Sequence, residues 1–144
     1  MKLTSKGRYA VQAMADLATI KDEKPTNLTE ISLRQGISIS FLEQIFLKLK
    51  RKNLVKSLRG PTGGYTLSKP SNEITLSSII DAVDEEVKTV ACRKDSKKGC
   101  NGKSTKCITH NLWDDLEIHI NSFFQKNTLN DVLYKLEKNK NLKN

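Results

Sequence analysis

The sequence predicts a mostly α-helical fold with one small β-hairpin. Apolar residues recur every three or four positions over most of the chain, which is the spacing of helices with one buried face. The exception is a glycine-rich turn near residue 60, which lies between two short β-forming runs and predicts the hairpin. Hydrophobic residues make up 37% of the 144 residues, enough for the core of one domain or of a small domain with an appendage.

The chain is strongly basic. Lys and Arg total 25 against 16 Asp and Glu, which gives a formal net charge of +9. This excess favours polyanionic partners, with nucleic acid ahead of an acidic membrane surface. We expect no membrane span, because no apolar run approaches roughly 18 residues. We also expect no secretory signal, because charged residues interrupt the first twenty positions and leave no apolar stretch. Three cysteines and no export signal then favour a cytoplasmic location over a disulfide scaffold.

The first helix is predicted over residues 5–20. Its apolar residues recur at helical spacing, and Thr4 or Ser5 can cap its start. The charged stretch 21–25, which ends in a proline, breaks the helix.

Two helices follow with only Gly36 and Ile37 between them. Asn27 begins the first of this pair in a capping-box pattern, and Ser38 caps the second, which runs to about Lys52. Two helices joined by a tight, glycine-containing turn form a helix-turn-helix, in which the second helix enters the major groove of DNA. An ordinary pair of antiparallel helices shows the same spacing, so this pattern alone does not decide between the two.

The second helix of the pair has a polar and basic face opposite its apolar stripe. Its hydroxyl, amide and carboxylate groups can hydrogen-bond to the edges of bases. Ser38 lies at the cap, and the face consists of Ser40, Glu43, Gln44, Leu47 and Arg51.

A β-hairpin comes directly after this helix. Residues 54–58 and 65–67 form its strands, and the turn-rich tip 59–64 joins them. A hairpin in this place makes a winged helix: Arg59 at its base can enter a narrow minor groove, while backbone N–H groups of the tip at Gly60 and beyond approach phosphate. The tip is not a nucleotide phosphate loop, because no Gly-Lys-Ser/Thr and no helix follow it. A plain surface hairpin is the alternative.

The C-terminal part adds a short helix over residues 75–85, a polar segment and two further helices. The first of these starts near Ile108, and its aromatic and aliphatic stripe is too long for the small N-terminal bundle to cover. We therefore expect a homodimer. The last helix is capped at Thr128, and the polar tail after Lys138 is expected to fray.

All three cysteines fall in the polar segment, and a histidine follows the last of them. They are Cys92, Cys100 and Cys107, with His110 at Cys-x-x-His spacing. Neighbouring lysines and arginines favour thiolates, and nothing apolar nearby would bury the cysteines. The set suits tetrahedral zinc or an iron–sulfur cluster, between which the spacing does not choose. A redox-reactive pair or a catalytic thiol–histidine site is the alternative, but no acidic or amide group orients His110, so we assign no catalytic residue and expect no enzyme.

Together these motifs resemble the IscR family of iron–sulfur cluster regulators, from the first residue to about residue 136. The matching stretches are MKLTSKGRYAV at 1–11, RQGIS at 34–38, LEQ at 42–44, residues 55–67 around Arg-Gly-Pro, CITH at 107–110, and Leu-Trp at 112–113. The resemblance implies a dimeric transcription factor that binds palindromic operator DNA and represses iron–sulfur assembly genes. It also implies a [2Fe–2S] cluster on Cys92, Cys100, Cys107 and His110, with the assembly machinery as its donor.

The resemblance further implies roles for five of the predicted DNA-contacting residues. Ser38, Ser40, Glu43 and Gln44 would lie in the major groove and Arg59 in the minor groove, and Glu43 would hinder the cluster-free form at one class of operator. This hindrance is physically reasonable, because a carboxylate with no donor opposite it is desolvated at a cost. Phe41 stands where the family has tyrosine, the loops between the cysteines are longer than usual, and Arg8 replaces the aspartate ligand of a nitric-oxide-sensing branch.

The resulting organisation has four parts. They are a winged helix-turn-helix domain (1–85), a cluster-binding loop (86–110), dimerisation helices (111–138) and a flexible tail (139–144). The predicted DNA contacts are Ser38, Ser40, Phe41, Glu43, Gln44, Arg51, Arg59 and Gly60. Two other functions remain open: a zinc-stabilised DNA-binding or protein-interaction module without redox sensing, and a small iron–sulfur electron carrier.

Overall fold

The computed structural model describes residues 3–85 and 108–142, apart from the side chain of Glu23. These two stretches contain six helices and one antiparallel hairpin: α1 (Ser5–Ala18), α2 (Leu28–Gln35), α3 (Ile39–Arg51), β1 (Val55–Leu58), β2 (Gly64–Leu67), α4 (Leu76–Ala82), α5 (His110–Lys126) and α6 (Leu129–Leu142). The predicted mostly helical fold with a hairpin directly after the helix pair is confirmed. None of the helices in these stretches combines the length and hydropathy that a membrane span needs.

One apolar core joins the N-terminal helices and reaches the C-terminal ones. Its largest fully buried side chains include Phe46, Met14, Ile31, Leu42, Ile45 and Leu49. Leu129, the first residue of α6, is fully buried in the same cluster. Backbone hydrogen bonds add to this attachment: the N–H of Leu76 donates to Asn127 at 2.9 Å, and that of Leu129 donates to Ile74 at 3.0 Å. The α5–α6 pair is therefore packed onto the start of α4.

Side-chain caps form at several helix starts, among them the predicted ones at Asn27, Ser38 and Thr128. The side chains of Asn27, Ser38, Thr75 and Thr128 each accept a hydrogen bond from a backbone N–H three residues later. Gly36 ends α2 with a φ of 67°, a left-handed conformation that glycine adopts without strain.

Several helix ends and one cap differ from the prediction, and α1 already ends at Ala18 rather than at residue 20. Thr4 lies at the N-cap position of α1, but its hydroxyl donates to the carboxylate of Glu85 instead of capping the helix. α4 ends at Ala82 rather than at residue 85, because Asp84 has a φ of 58° and turns the chain out of the helix. α6 continues to Leu142, past the expected end at residue 138, since no glycine or proline interrupts the sequence there.

Backbone hydrogen bonds join the hairpin to the start of the helix pair. Val55 pairs with Leu67 and Leu58 with Gly64. Thr26, just before α2, and Tyr65 in β2 exchange two backbone hydrogen bonds of 3.0 and 2.8 Å. Gly64 lies so close that a Cβ there would approach the carbonyl carbon of Thr26 to 2.4 Å. A residue without a side chain is therefore required at position 64.

α5 carries the apolar stripe that the sequence predicts to be uncovered. None of its 17 residues, all within the described part of the chain, is fully buried. Of the predicted stripe, Leu112, Trp113, Leu116 and Phe123 are exposed, whereas Ile120 is half-buried and Phe124 packs against the core. The stripe is thus available to a partner, although the homodimer itself stays a prediction.

Candidate nucleic-acid interface

α3 separates its residues into a buried stripe and an exposed face. Leu42, Ile45, Phe46 and Leu49 are buried. Ser40, Glu43, Gln44, Leu47 and Arg51 are all exposed, and we call this set the reading face. The structure thus places together on one exposed surface the residues that the sequence predicts to face DNA.

The start of α3 is anchored to α1. Ser38 accepts a hydrogen bond from the N–H of Phe41 at 3.3 Å, which caps the helix. The ring of Phe41 meets that of Tyr9 edge to face, with centroids 5.6 Å apart and planes at 88°. Phe41, predicted to contact DNA, is half-buried. Its ring therefore also serves to fix the start of α3 against α1.

An ion pair between a buried carboxylate and a partly exposed arginine fixes the turn between α2 and α3. The carboxylate of Asp16 in α1 is only 3% exposed, and Arg34 in α2 donates to it from Nε and Nη2, each at 2.9 Å. Gln35 donates to the same carboxylate at 3.1 Å, and Gln12 in α1 donates to the backbone oxygen of Gln35 at 3.2 Å. Its hydrogen bond to Asp16 raises the pKa of the Arg34 guanidinium. The last turn of α2, from which α3 departs, is thereby locked to α1.

The hairpin carries the second group of predicted DNA contacts. Lys56, Arg59 and Gly60 are exposed on it. Its other side is anchored by the ring of Tyr65, whose centroid lies 4.8 Å from that of the buried Phe46 in α3. At the tip, a Cβ on Gly63 would lie 2.2 Å from the carbonyl oxygen of Leu58, so the tight turn depends on that glycine. The wing and the reading face are therefore both attached to the same helix, α3.

His110 is the one predicted cofactor ligand within the described residues. It is the first residue of α5 and is partly exposed. Beside it, the indole Nε1 of Trp113 donates to the hydroxyl of Thr109 at 3.1 Å. The other three predicted ligands, Cys92, Cys100 and Cys107, lie outside the described residues. Within residues 3–85 and 108–142, no three His, Cys, Asp or Glu side chains converge on a position for a metal ion.

The arrangement of a helix-turn-helix and a hairpin is shared with a known protein family. The sequence model of Rrf2, described as an iron-dependent transcriptional regulator, matches residues 3–135. The chain belongs to the Rrf2 family. Among its relatives, the HTH-type transcriptional regulator IscR of Pectobacterium carotovorum is 49% identical over 133 residues, which cover 92% of this chain and 79% of that protein. The protein of the same name from Aliivibrio salmonicida is 50% identical over 133 residues, which cover 92% of this chain and 77% of that protein.

Solved structures of similar proteins agree with this assignment. T. potens IscR superposes with a TM-score of 0.76 at 33% identity, over 96% of this chain and 90% of that one. CymR, the global cysteine regulator of B. subtilis, superposes with a TM-score of 0.75 at 30% identity, over 92% and 95%. As a member of the Rrf2 family, the chain is a DNA-binding transcriptional regulator. The predictions of a regulator rather than an enzyme, and of a resemblance to IscR, are confirmed.

Sequence reasoning missed two residues of this Rrf2-family fold, Asp84 and Glu85. Glu85 is only 6% exposed and accepts hydrogen bonds from the backbone N–H groups of Thr4 at 3.1 Å and of Gly7 at 3.2 Å. Burial raises the pKa of its carboxyl. The hydrogen bonds from Thr4 and Gly7 and the charge of Lys6 together lower this pKa by more, so that the net shift is downward. No local pattern signals this role, because the partners lie about eighty residues earlier.

Proposed function

We propose that this protein is an iron–sulfur-cluster-sensing regulator that binds palindromic operator DNA as a homodimer. Its operator choice depends on whether a [2Fe–2S] cluster is bound, and iron–sulfur assembly genes are its targets for repression. The observation that supports the proposal most directly is the reading face of α3, which is exposed, polar and fixed in direction by the ion pair of Arg34 with the buried Asp16. A cytoplasmic location and cluster delivery by the assembly machinery belong to the same proposal.

The DNA-contacting residues divide into two groups by chemistry. Ser38, Ser40, Phe41, Glu43, Gln44 and Arg51 would contact the major groove or its phosphates, and Arg59 and Gly60 would contact the minor groove and its phosphates. Gln44 can bond an adenine edge with both groups of its amide, whereas the carboxylate of Glu43 can only accept and suits cytosine. Glu43 facing a base that offers no donor would be desolvated without compensation, which makes it a discriminating residue.

The donor set fits an iron–sulfur cluster. Three thiols at positions 92, 100 and 107 precede an imidazole at position 110 that is partly exposed at the first residue of a helix. Cysteine with histidine is a known ligand combination for [2Fe–2S] centres, and the lysines and arginines of this segment lower thiol pKa values and favour thiolates. When bound, the cluster supplies a redox-active and oxidant-labile centre. The chain's own residues supply the binding groups and a covalent connection to α4 and α5.

The homodimer is supported by the uncovered stripe on α5. Trp113, Leu116 and Phe123 remain exposed along α5. Exposed apolar surface of this kind favours a symmetric partner, and a two-fold dimer presents two reading faces to a palindromic site.

One experiment tests the cluster and the DNA together. The protein is purified without oxygen, its absorption spectrum is recorded, iron, sulfide and zinc are quantified, and operators are selected from a random duplex pool. We expect visible absorption bands, iron and sulfide in equal amounts, and retention of a palindromic duplex. His110→Ala should remove or shift the bands, whereas His119→Ala, an exposed histidine on the same helix, should leave them unchanged.

The other outcomes identify the alternatives. A colourless protein with stoichiometric zinc would replace the sensor by a zinc-stabilised module. A coloured protein that retains no duplex would contradict the DNA-binding half of the proposal and favour an electron carrier.

A further inference from the structure

Asp84 and Glu85 join the end of α4 to the two helices that face it. Glu85 binds the backbone N–H groups of Thr4 and Gly7 and takes over the capping of α1. The contact is close, because a Cβ on Gly7 would lie 3.0 Å from Cγ of Glu85. The chain at residue 85 is therefore fixed against the start of α1.

Asp84 makes the corresponding contact to α3. Its carboxylate lies 3.1 Å from Nζ of Lys48, and its backbone oxygen accepts a hydrogen bond from Nζ of Lys6 at 3.4 Å. The hydrogen bond and the positive charge of Lys48 lower the pKa of the Asp84 carboxyl, so this carboxyl is charged at neutral pH. Lys48 follows Gln44 by four residues, which places its ammonium beside the reading face. Asp84 thus pairs with a cation that would otherwise be available to DNA phosphate.

The junction of these three helices is incompletely filled. A cavity of about 40 Å³ lies there, lined by Lys6, Phe41, Gln44, Ile45, Lys48 and Val83. A water molecule needs roughly 10–15 Å³ of such space, so the cavity can hold a few waters. Lys48, one partner of the ion pair, lines this cavity beside the fully buried Val83.

We infer that Asp84 is a positioning residue for operator recognition, which acts through the ammonium of Lys48. It keeps Lys48 from contacting phosphate non-specifically, and it makes operator affinity depend on the state of the chain that follows residue 85. The second part rests on the proposed function, because the first cluster ligand, Cys92, follows Glu85 by seven residues. The side chain of Asp84 is 71% exposed, so its removal should alter DNA binding without unfolding the protein.

The test compares Asp84→Asn with Asp81→Asn, an exposed residue of α4 whose substitution removes the same charge. Dissociation constants are measured for a random-sequence duplex and for a selected operator, between 50 and 200 mM salt. For Asp84→Asn we expect about two- to fivefold tighter binding to the random duplex, the range of an exposed ion pair, and a correspondingly lower preference for the operator. The slope of log K against log salt should steepen by about 0.9 for each Lys48 released to a phosphate. A purely structural role would weaken both duplexes equally and leave the slope unchanged.

A second variant isolates the partner. In a Lys48→Gln background, Asp84→Asn should affect either duplex no more than Asp81→Asn does. An undiminished effect in that background, or equal behaviour of Asp84→Asn and Asp81→Asn, would overturn the assignment of Lys48.

The dependence on the cluster is measured on the same proteins. The ratio of operator affinities between iron-loaded and metal-free protein should fall at least about twofold towards one in Asp84→Asn. If the wild-type protein shows such a ratio and Asp84→Asn keeps it in full, the second part of the inference is wrong. A wild-type protein that carries no cluster would overturn the proposed function and this second part together, while the salt slopes would still decide the role of Lys48.

Discussion

Replacing the buried carboxylate of Asp16 by an amide should loosen the turn that directs α3. Asp16→Asn keeps the shape of the side chain but removes its charge and turns N–H donors towards Arg34. Two hydrogen bonds of 2.9 Å from Arg34 and one of 3.1 Å from Gln35 depend on the carboxylate. Hydrogen bonds to charged groups contribute roughly 1.5–3 kcal/mol each. The loss is smaller than their sum, because Arg34 is 39% exposed and can be rehydrated, while the amide oxygen of the variant still accepts a hydrogen bond.

We therefore expect the free energy of unfolding to fall by about 2–3 kcal/mol, short of the roughly 3–5 kcal/mol seen when a fully buried pair is broken. Urea titration followed by circular dichroism measures this as a lower midpoint at constant slope. Operator affinity should fall as well, since α2 would no longer fix the direction of α3.

The matched control is Glu30→Gln. Glu30 is the other carboxylate near Arg34, but it lies 4.0 Å away and is 51% exposed. Its loss should cost less than about 0.5 kcal/mol. If Asp16→Asn and Glu30→Gln proved equally mild, the reasoning that this network locks the turn would be refuted.

Three further variants test the wing and the α1 cap. Arg59→Ala should weaken operator binding and lower the slope of log K against log salt by about 0.9 for each phosphate that the side chain no longer neutralises. Lys69→Ala serves as the control in the same titration. Unchanged binding of Arg59→Ala would show that Arg59 does not contact DNA. Gly64→Ala should cost about 1–3 kcal/mol in urea unfolding, because its Cβ would collide with Thr26, and a change below about 0.5 kcal/mol would contradict this close approach. The pKa of Glu85 is below its ordinary 4.5 in the folded state, so its stabilising effect is full above that pH and is lost as the pH falls through the lowered value. Glu85→Gln should therefore flatten the acid decline of stability below pH 4.5, and a decline as steep as in the wild type would disprove this role.

The parts of the fold that depend on neighbouring residues could be predicted from the sequence. Asn27 and Ser38 mark helix starts by hydrogen bonds to N–H groups three residues later, and Gly36 marks a helix end by the conformation that it alone adopts easily. The helix-turn-helix, its exposed face and the hairpin follow from such local signals. Their physical basis is contained within a few residues of sequence.

The contacts between distant segments could not be predicted in this way. Glu85 caps α1, and Thr26 pairs with Tyr65 in the wing, because the packed core brings these segments together. The position of Asp84 likewise follows from the early end of α4. The periodic apolar pattern of the sequence predicts that this helix continues to residue 85, whereas Asp84 has a left-handed backbone conformation outside it. Capping propensity and periodicity describe one element at a time, so they carry no information about which distant side chain meets which helix end.

The most direct test of the central claim is the affinity of the protein for its selected operators, measured with and without the iron–sulfur cluster under the same salt. We predict that the two forms differ at least about fivefold in their preference between two operator classes, the lower end of typical allosteric coupling. We also predict that Glu43→Ala reduces this difference. Equal preferences of the two forms, or oxygen-protected protein that contains neither iron nor sulfide, would contradict this claim.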